Sequence, residues 1–220
     1  TESGAHISTI GSGEKGDSMF DFYYPKSIVI HNLGTILRFY VADFLNDRIK
    51  SFDILEGQEG YFNEQFIGGT NPNRATGSAA DTFFGPTDIA LDADENVLYV
   101  ADTYKNRVQK ITLTSNGFGT AEIVLDKDAS NDPRNVELVT SVAVDKKYLY
   151  VLDKSGINKA IKVFDKNDYT PYGTFLLSDF GIEKANKIRI NPKEDQVLYI
   201  SETNTSDNKK KNHRIHKIKY

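Results

Sequence analysis

The chain is 220 residues long, 39% hydrophobic and 26% charged, with a formal net charge of −4, a profile of one globular domain able to bury a sizeable core. It has no cysteine, which excludes disulfides, thiolate metal sites and cysteine nucleophiles, and no apolar run of about 18 residues, which excludes a membrane-spanning helix. The negative balance argues against wholesale nucleic-acid binding, although Lys209, Lys210, Lys211, Arg214, Lys217 and Lys219 gather near the C-terminus.

In chain order, a lone apolar segment, His6-Ile7-Ser8-Thr9-Ile10, comes first, followed by a glycine-rich stretch to Asp17. A pattern then begins that recurs four times: an apolar strand, a short turn, a second apolar strand ending in an acid, another turn, and a third strand. Its first copy is Pro25–Ile30, Phe39–Asp43 and Arg48–Phe52; its second is Pro86–Leu91, Val97–Asp102 and Arg107–Ile111. The third is Val139–Val144, Leu149–Asp153 and Ala160–Phe164; the fourth is Ala185–Ile190, Val197–Glu202 and Arg214–Ile218. Outer strands are expected at Glu64–Ile67, Ala121–Leu125 and Gly173–Leu177. The last unit has no outer strand of its own before Tyr220. Ile10-Gly11 matches Ile67-Gly68, so residues 5–10 are expected to complete the last unit and cover its free edge.

The second strands are apolar at consecutive positions, as in Val97-Leu98-Tyr99-Val100-Ala101. That means burial on both faces. Parallel α/β sheets share the trait but need intervening amphipathic helices of about 10–15 residues, and no such helix is legible. Asp92-Ala93-Asp94-Glu95-Asn96 and Asp145-Lys146-Lys147 read as polar hairpin turns. The expected fold is all-β: a β-propeller of four-stranded antiparallel blades stacked about an axis, with alternating third strands nearer its rim. Blade 1 spans about 25–67, blade 2 about 86–125, blade 3 about 139–177, and blade 4 about 185–220 plus the strand 5–10.

The second copy, Phe84-Gly85-Pro86-Thr87-Asp88-Ile89-Ala90-Leu91-Asp92 with Leu98-Tyr99-Val100-Ala101-Asp102 and Asn106-Arg107-Val108, resembles an NHL repeat almost throughout. The first resembles it at Tyr24-Pro25, Tyr40-Val41-Ala42-Asp43 and Asp47-Arg48-Ile49. The third departs from it at Leu152 and Lys159-Ala160, and the fourth has Glu202 for the aspartate and a long insert before His213-Arg214-Ile215. The resemblance implies a full ring of about six blades, whereas this chain holds four. A small closed ring, a part of a larger propeller and a propeller completed by another copy all remain open, with four blades in this chain the preferred reading.

The pairs Asp43/Arg48 and Asp102/Arg107 recur at one spacing. Recurrence suits structure better than catalysis, which needs unlike groups at one point; the acid is expected to accept hydrogen bonds from its hairpin while the arginine holds the neighbouring blade. His6, His31, His213 and His216 do not form a convergent metal set, and Asp88, Asp92, Asn32, Asn186 and Asn191 are only a faint pattern for the calcium of a lactonase-like propeller. No nucleophile elbow, phosphate loop or His-Glu-x-x-His motif occurs. Catalytic residues, metal ligands and cofactors are therefore all read as none.

Meander topology sends the long segments 11–24, 68–85, 126–138, 153–159 and 203–213 to one end of the disc, and mostly short turns, with 53–63 as the main longer loop, to the other. Long loops on a rigid scaffold are where binding is usually placed. Tyr23, Tyr24, Phe44, Arg74, Tyr104, Lys209, Lys210 and Lys211 on that end are the candidate partner-binding residues. The expected function is a non-enzymatic scaffold for a protein or other macromolecular partner. The alternatives are a metal-dependent lyase or lactonase, a homotypic assembly, and RNA binding, the last disfavoured because the basic residues concentrate in one loop. Thr1 follows no basic and apolar leader, as in a matured or trimmed chain, and an extracellular or periplasmic setting is expected.

Overall fold

The computed structural model describes residues 9–58, 60–69, 79–127, 132, 134–157, 159–191, 194, 197–204 and 212–219. Blade 1 comprises β1 (Pro25–Asn32), β2 (Ile36–Asp43), β3 (Arg48–Leu55) and β4 (Phe62–Gly68). Blade 2 comprises β5 (Pro86–Asp92), β6 (Val97–Asp102), β7 (Arg107–Thr114) and β8 (Gly117–Asp126). Blade 3 comprises β9 (Val139–Val144), β10 (Tyr148–Asp153), β11 (Ala160–Asp165) and β12 (Pro171–Leu176), and blade 4 comprises β13 (Ala185–Ile190), β14 (Val197–Asn204) and β15 (Asn212–Lys219). Every sheet is an antiparallel meander, and among the described residues helical structure is limited to short 3-10 turns. The chain is a four-bladed β-propeller. The proposed N-terminal strand falls mostly on residues 1–8, outside the described residues; Thr9 and Ile10 are not in a strand.

Consecutive apolar residues in the second strands are explained by where each one goes. In β6, Leu98 and Val100 pack with Tyr40, Ala42 and Ile49 of blade 1, while Tyr99 and Ala101 pack with Val142, Leu149 and Val151 of blade 3. Blades 3 and 4 join through Tyr150, Leu152 and Ile161 against Ile188, Leu198 and Ile200. Blades 2 and 3 are thus each one layer between two cores, while blades 1 and 4 each pack on a single core, and the inner strands contact one another in the order β1, β5, β9, β13. The third strands are less alternating than expected. β3 is buried from Arg48 to Asp53, because Phe22 of the segment before β1 covers its outward face, with Lys50 Nζ 4.4 Å from the Phe22 ring centroid. The loop after β3 is also shorter than 53–63, since the strand runs to Leu55 and β4 begins at Phe62.

The acids ending the second strands are buried, and each clamps the connector that leads into its own blade; the expected bond to its own hairpin is present at Asp153, from Ser155 N–H, and at Asp43, from the Asn46 side chain. Asp43 Oδ1 accepts Tyr23 N–H and Asp102 Oδ1 accepts Phe84 N–H, both at 2.7 Å. Asp153 accepts the amides of Glu137 and Leu138, and Glu202 those of Glu183 and Lys184. The arginines hold the same connectors, not the neighbouring blade: Arg48 donates to Asp43 at 2.8 Å and to the carbonyls of Asp17, Ser18 and Asp21. Arg107 bonds Asp102 and the carbonyls of Ala79 and Thr82. Burial raises the Asp102 carboxyl even against these bonds.

Where the repeat is degenerate, the acid's side-chain partner comes from two residues further along the third strand. Lys162 Nζ lies 2.8 Å from Asp153 and donates to Asn135 O, and His216 Nε2 lies 2.9 Å from Glu202. Gln109 stands at the same register in blade 2 and donates to Asp102 and to Thr82 O.

At the axis, one carboxylate touches all the other blades. Asp88 of β5 is fully buried. It accepts Ser27 Oγ of blade 1 at 2.7 Å, the hydroxyl of Ser141 and the amide of Val142 in blade 3, and both terminal nitrogens of Arg189 in blade 4 at 2.8 Å. Lys187 Nζ adds a contact at 2.9 Å. Burial pushes this carboxyl up, but the Arg189 hydrogen bonds and the Lys187 and Arg189 charges outweigh it and hold it below the usual carboxylate value. Arg189 also reaches Ser27 Oγ at 3.4 Å, which brings the first and last blades together at the axis.

Two tests follow. Lys162→Met should cost about 1–3 kcal/mol in urea unfolding, since it unpairs the buried Asp153 carboxylate, and Lys162→Gln should recover part of it by copying Gln109; an unchanged Lys162→Met would refute the clamp. Because the Asp88 value is depressed on folding, its stabilisation is present above the unfolded value near about pH 3.9 and is lost as pH falls through the lower folded value. Asp88→Asn should therefore cost about 3–5 kcal/mol at neutral pH, leaving Arg189 and Lys187 uncompensated, and its deficit should shrink in acid melts. A deficit independent of pH would contradict this role.

Candidate functional site

Antiparallel alternation places the segment before β1, the turns 44–47, 103–106 and 154–159, and the connectors between blades at one end of the propeller. On that end the structure gathers three of the expected residues. The Tyr104 ring lies 5.7 Å from Phe44 and 4.9 Å from Phe84, and Lys26 Nζ sits 4.2 Å from the Tyr24 ring centroid and 5.3 Å from that of Phe44. Tyr24 is 62% and Tyr104 53% exposed. Lys26 is therefore a member that sequence reading missed, although its place beside Tyr24-Pro25 was a usable signal. Tyr23 stands apart from this cluster, with Lys15 Nζ 5.6 Å from its ring centroid. It is half-buried, and its backbone bonds Asp43 and Leu45. Arg74, Lys209, Lys210 and Lys211 lie outside the described residues.

Tyr24 has a property that its neighbours Phe44, Phe84 and Tyr104 lack: its φ is +62°, a conformation shared among the aromatics by Tyr169 of blade 3. The matching residue before the first proline of blade 2 is Gly85, also at +62°. A side chain there would meet Tyr104 at 2.4 Å and Phe44 at 3.0 Å, so glycine lets these two rings approach over the blade 1–blade 2 seam. In blade 1 a tyrosine occupies the position that glycine fills more easily, in a conformation costing about 1 kcal/mol for a residue with a Cβ. Strain of this kind accumulates where a side chain is wanted for another purpose.

The groups considered for metal chemistry are separated and occupied. Asp88 is held by Arg189 and Lys187, and Asp92 by Lys166 Nζ at 2.5 Å. Asn32 accepts Gly34 N–H, and Asn186 bonds Thr203. Asn191 has an interaction of its own, at the far end of β13 from Asn186. Among the described residues no three His, Asp or Glu side chains converge as a metal site. His31 is buried on β1, and burial, then the Arg38 charge, holds it below its usual value. A shallow open groove of about 440 Å³ lies over blade 3 between Glu137, Ile157, Lys162 and Thr174, and its lysine is committed to Asp153.

A family model of the NHL repeat matches residues 83–111. No curated protein sequence matches the chain. Among solved structures, hydrazine synthase of Kuenenia stuttgartiensis aligns over 95% of this chain and 48% of its own, with 14% identity and a TM-score of 0.57. A gluconolactonase of Xanthomonas campestris aligns over 87% of this chain and 56% of its own, with 14% identity and a TM-score of 0.56. A chain of a nidogen/laminin complex aligns over 84% and 59%, with 11% identity and a TM-score of 0.56. At these identities the likeness concerns the fold, which serves enzymes and binding proteins alike, and this chain spans about half of the length of each. Residues 83–111 match the NHL repeat, and the chain that carries them is a four-bladed β-propeller.

Proposed function

We propose that this propeller is a non-enzymatic binding module whose long-loop end docks a protein partner. The observation that carries the reading is Tyr24, an exposed aromatic kept in a left-handed conformation beside Phe44, Tyr104 and Lys26. An exposed tyrosine on a strained backbone lowers stability unless another contact uses it. Aromatic side chains supply large contact area at small rotamer cost, as interface anchors do. The clamps beneath support this role: Asp43 and Arg48 fix the connector that presents Tyr24, and Asp102 with Arg107 fixes the one that presents Phe84. The carboxylates that an enzyme of this shape would use are engaged in these contacts and at the axis, which favours binding over catalysis.

The test separates stability from binding. Tyr24→Gly should unfold at the same urea concentration as the parent or a higher one, gaining up to about 1 kcal/mol from relieved strain. With the full chain immobilised in an extract of its source, Tyr24→Gly and Tyr104→Ala should lose the captured partner, and Lys146→Ala at the opposite end should retain it. Capture indifferent to both aromatic substitutions would overturn the proposal. So would metal-stimulated lactone hydrolysis that Asp88→Asn abolishes.

A further inference from the structure

Beside the aromatic cluster, the same end of the propeller carries a line of four lysines that crosses three blades. Lys26 is the second residue of β1 and Lys187 the third of β13; Lys154 follows β10 and Lys159 precedes β11. The strand ends place them side by side, Lys187 on Asp88 at the axis and Lys159 on the connector into blade 4, and their like charges are felt from Lys26 at Lys187 and from Lys187 and Lys159 at Lys154. Lys187 shares Asp88 with Arg189 and donates to Thr87 O at 2.5 Å. Lys159 donates to a backbone carbonyl, that of Glu183, at 3.2 Å. Among the described residues neither Lys26 nor Lys154 has a carboxylate within ion-pair distance.

Lys154 is the informative member. It is half-buried, with its own amide tied to Leu138 O. Burial first, then the charges of Lys159 and Lys187, hold its ammonium below the usual lysine value. A partly desolvated cation between two like charges is costly unless an anion completes it. The buried acids of this end are engaged elsewhere, Asp43, Asp102, Asp153 and Glu202 on connector amides and Asp88 at the axis, and the exposed carboxylates of Glu137 and Glu183 on the neighbouring connectors make no ion pair with Lys154.

We infer that Lys154, Lys159, Lys187 and Lys26 form an anion-accepting site that receives the carboxylates of an acidic segment of a partner protein, laid from the axis toward the Tyr24–Tyr104 aromatics. The inference rests on the reading of this end as the docking surface and specifies the chemistry of what docks. An acidic peptide fits better than a nucleic acid. The lysines make one short cluster on a chain of net charge −4, whereas a strand of phosphates calls for a basic track several contacts long.

Fluorescence anisotropy of the full chain tests this, with a fluorescein-labelled hexaglutamate peptide as probe and a labelled oligo-dT of equal charge as competitor class. Hexaglutamate should bind in a salt-dependent manner. Lys154→Met should weaken binding about tenfold, Lys154→Arg should stay within about threefold, and Lys146→Met should match the parent. Absence of hexaglutamate binding, equal binding by Lys154→Met, or tighter binding of oligo-dT with the same Lys154 dependence would each overturn it. The two proposals fail separately. A partner lost on Tyr24→Gly but kept on Lys154→Met removes the acidic ligand and leaves the docking surface, while a partner indifferent to both removes the surface itself.

Discussion

A carboxylate taken out of water must be given partners, and this propeller is built around that requirement. At the end of each second strand a buried acid faces a connector whose amides would otherwise be unsatisfied. The acid accepts those amides, and a side chain of the third strand closes the remaining oxygen. The residues that lead into each blade are in this way fixed to the sheet. Charge-assisted bonds of this type are the stronger kind, and losing one partner strands the other in a buried setting. The seams between consecutive blades are mainly apolar: alternate residues of β6 and β10 enter the cores on either side, those of β2 and β14 the core on one side, and the Lys166–Asp92 pair adds a buried polar contact between blades 2 and 3.

The axial carboxylate does a different task with the same chemistry. Apolar packing between consecutive blades sets their order but does not join the first to the last. Asp88 does so by gathering Ser27, Ser141, Lys187 and Arg189. Two cations meet one anion there. The excess positive charge is carried by Lys187 and Arg189, which are partly exposed at the axis, and this charge starts the lysine line toward Lys154.

Much of the frame was legible because its signals were periodic. Strand, turn and terminal acid recur in all four units, and the both-face burial of Val97–Asp102 follows from its unbroken apolar run. The direction of the clamp was not legible: an acid at a strand end can reach its own turn or the incoming connector, and only the fold shows that Tyr23 and Phe84 amides are the nearer donors. In the degenerate units, the absence of arginine at Ala160 concealed a substitute. Lys50, Gln109, Lys162 and His216 share one register, two residues beyond the arginine column, and that polar column was a signal available in the sequence. Tyr24 was picked as an aromatic, but its strain depends on a comparison with Gly85 that the alignment contained. Lys154 and Lys159 were invisible for a plainer reason: they sit in a turn whose length differs from its counterparts, so no column aligned them with anything.

The connection between frame and surface is one of charge allocation. An overall acidic chain is expected to present an acidic face, yet this end of the propeller presents lysines. The difference arises in part because the strand-end acids on this side, Asp43, Asp102, Asp153 and Glu202, face inward as hydrogen-bond acceptors for backbone amides that carry no full charge. Asp153 shows the effect within one blade. Three backbone amides and Lys162 satisfy it, so it has little left for Lys154, its immediate neighbour in sequence, and these bonds, against the opposing effect of burial, hold its carboxyl below the usual value. A blade in which the terminal acid faced the solvent would neutralise its own turn lysines. Here the clamp that orders the connectors also leaves the lysines beside them unneutralised, and the demand for an external anion is a consequence of how the fold holds itself together.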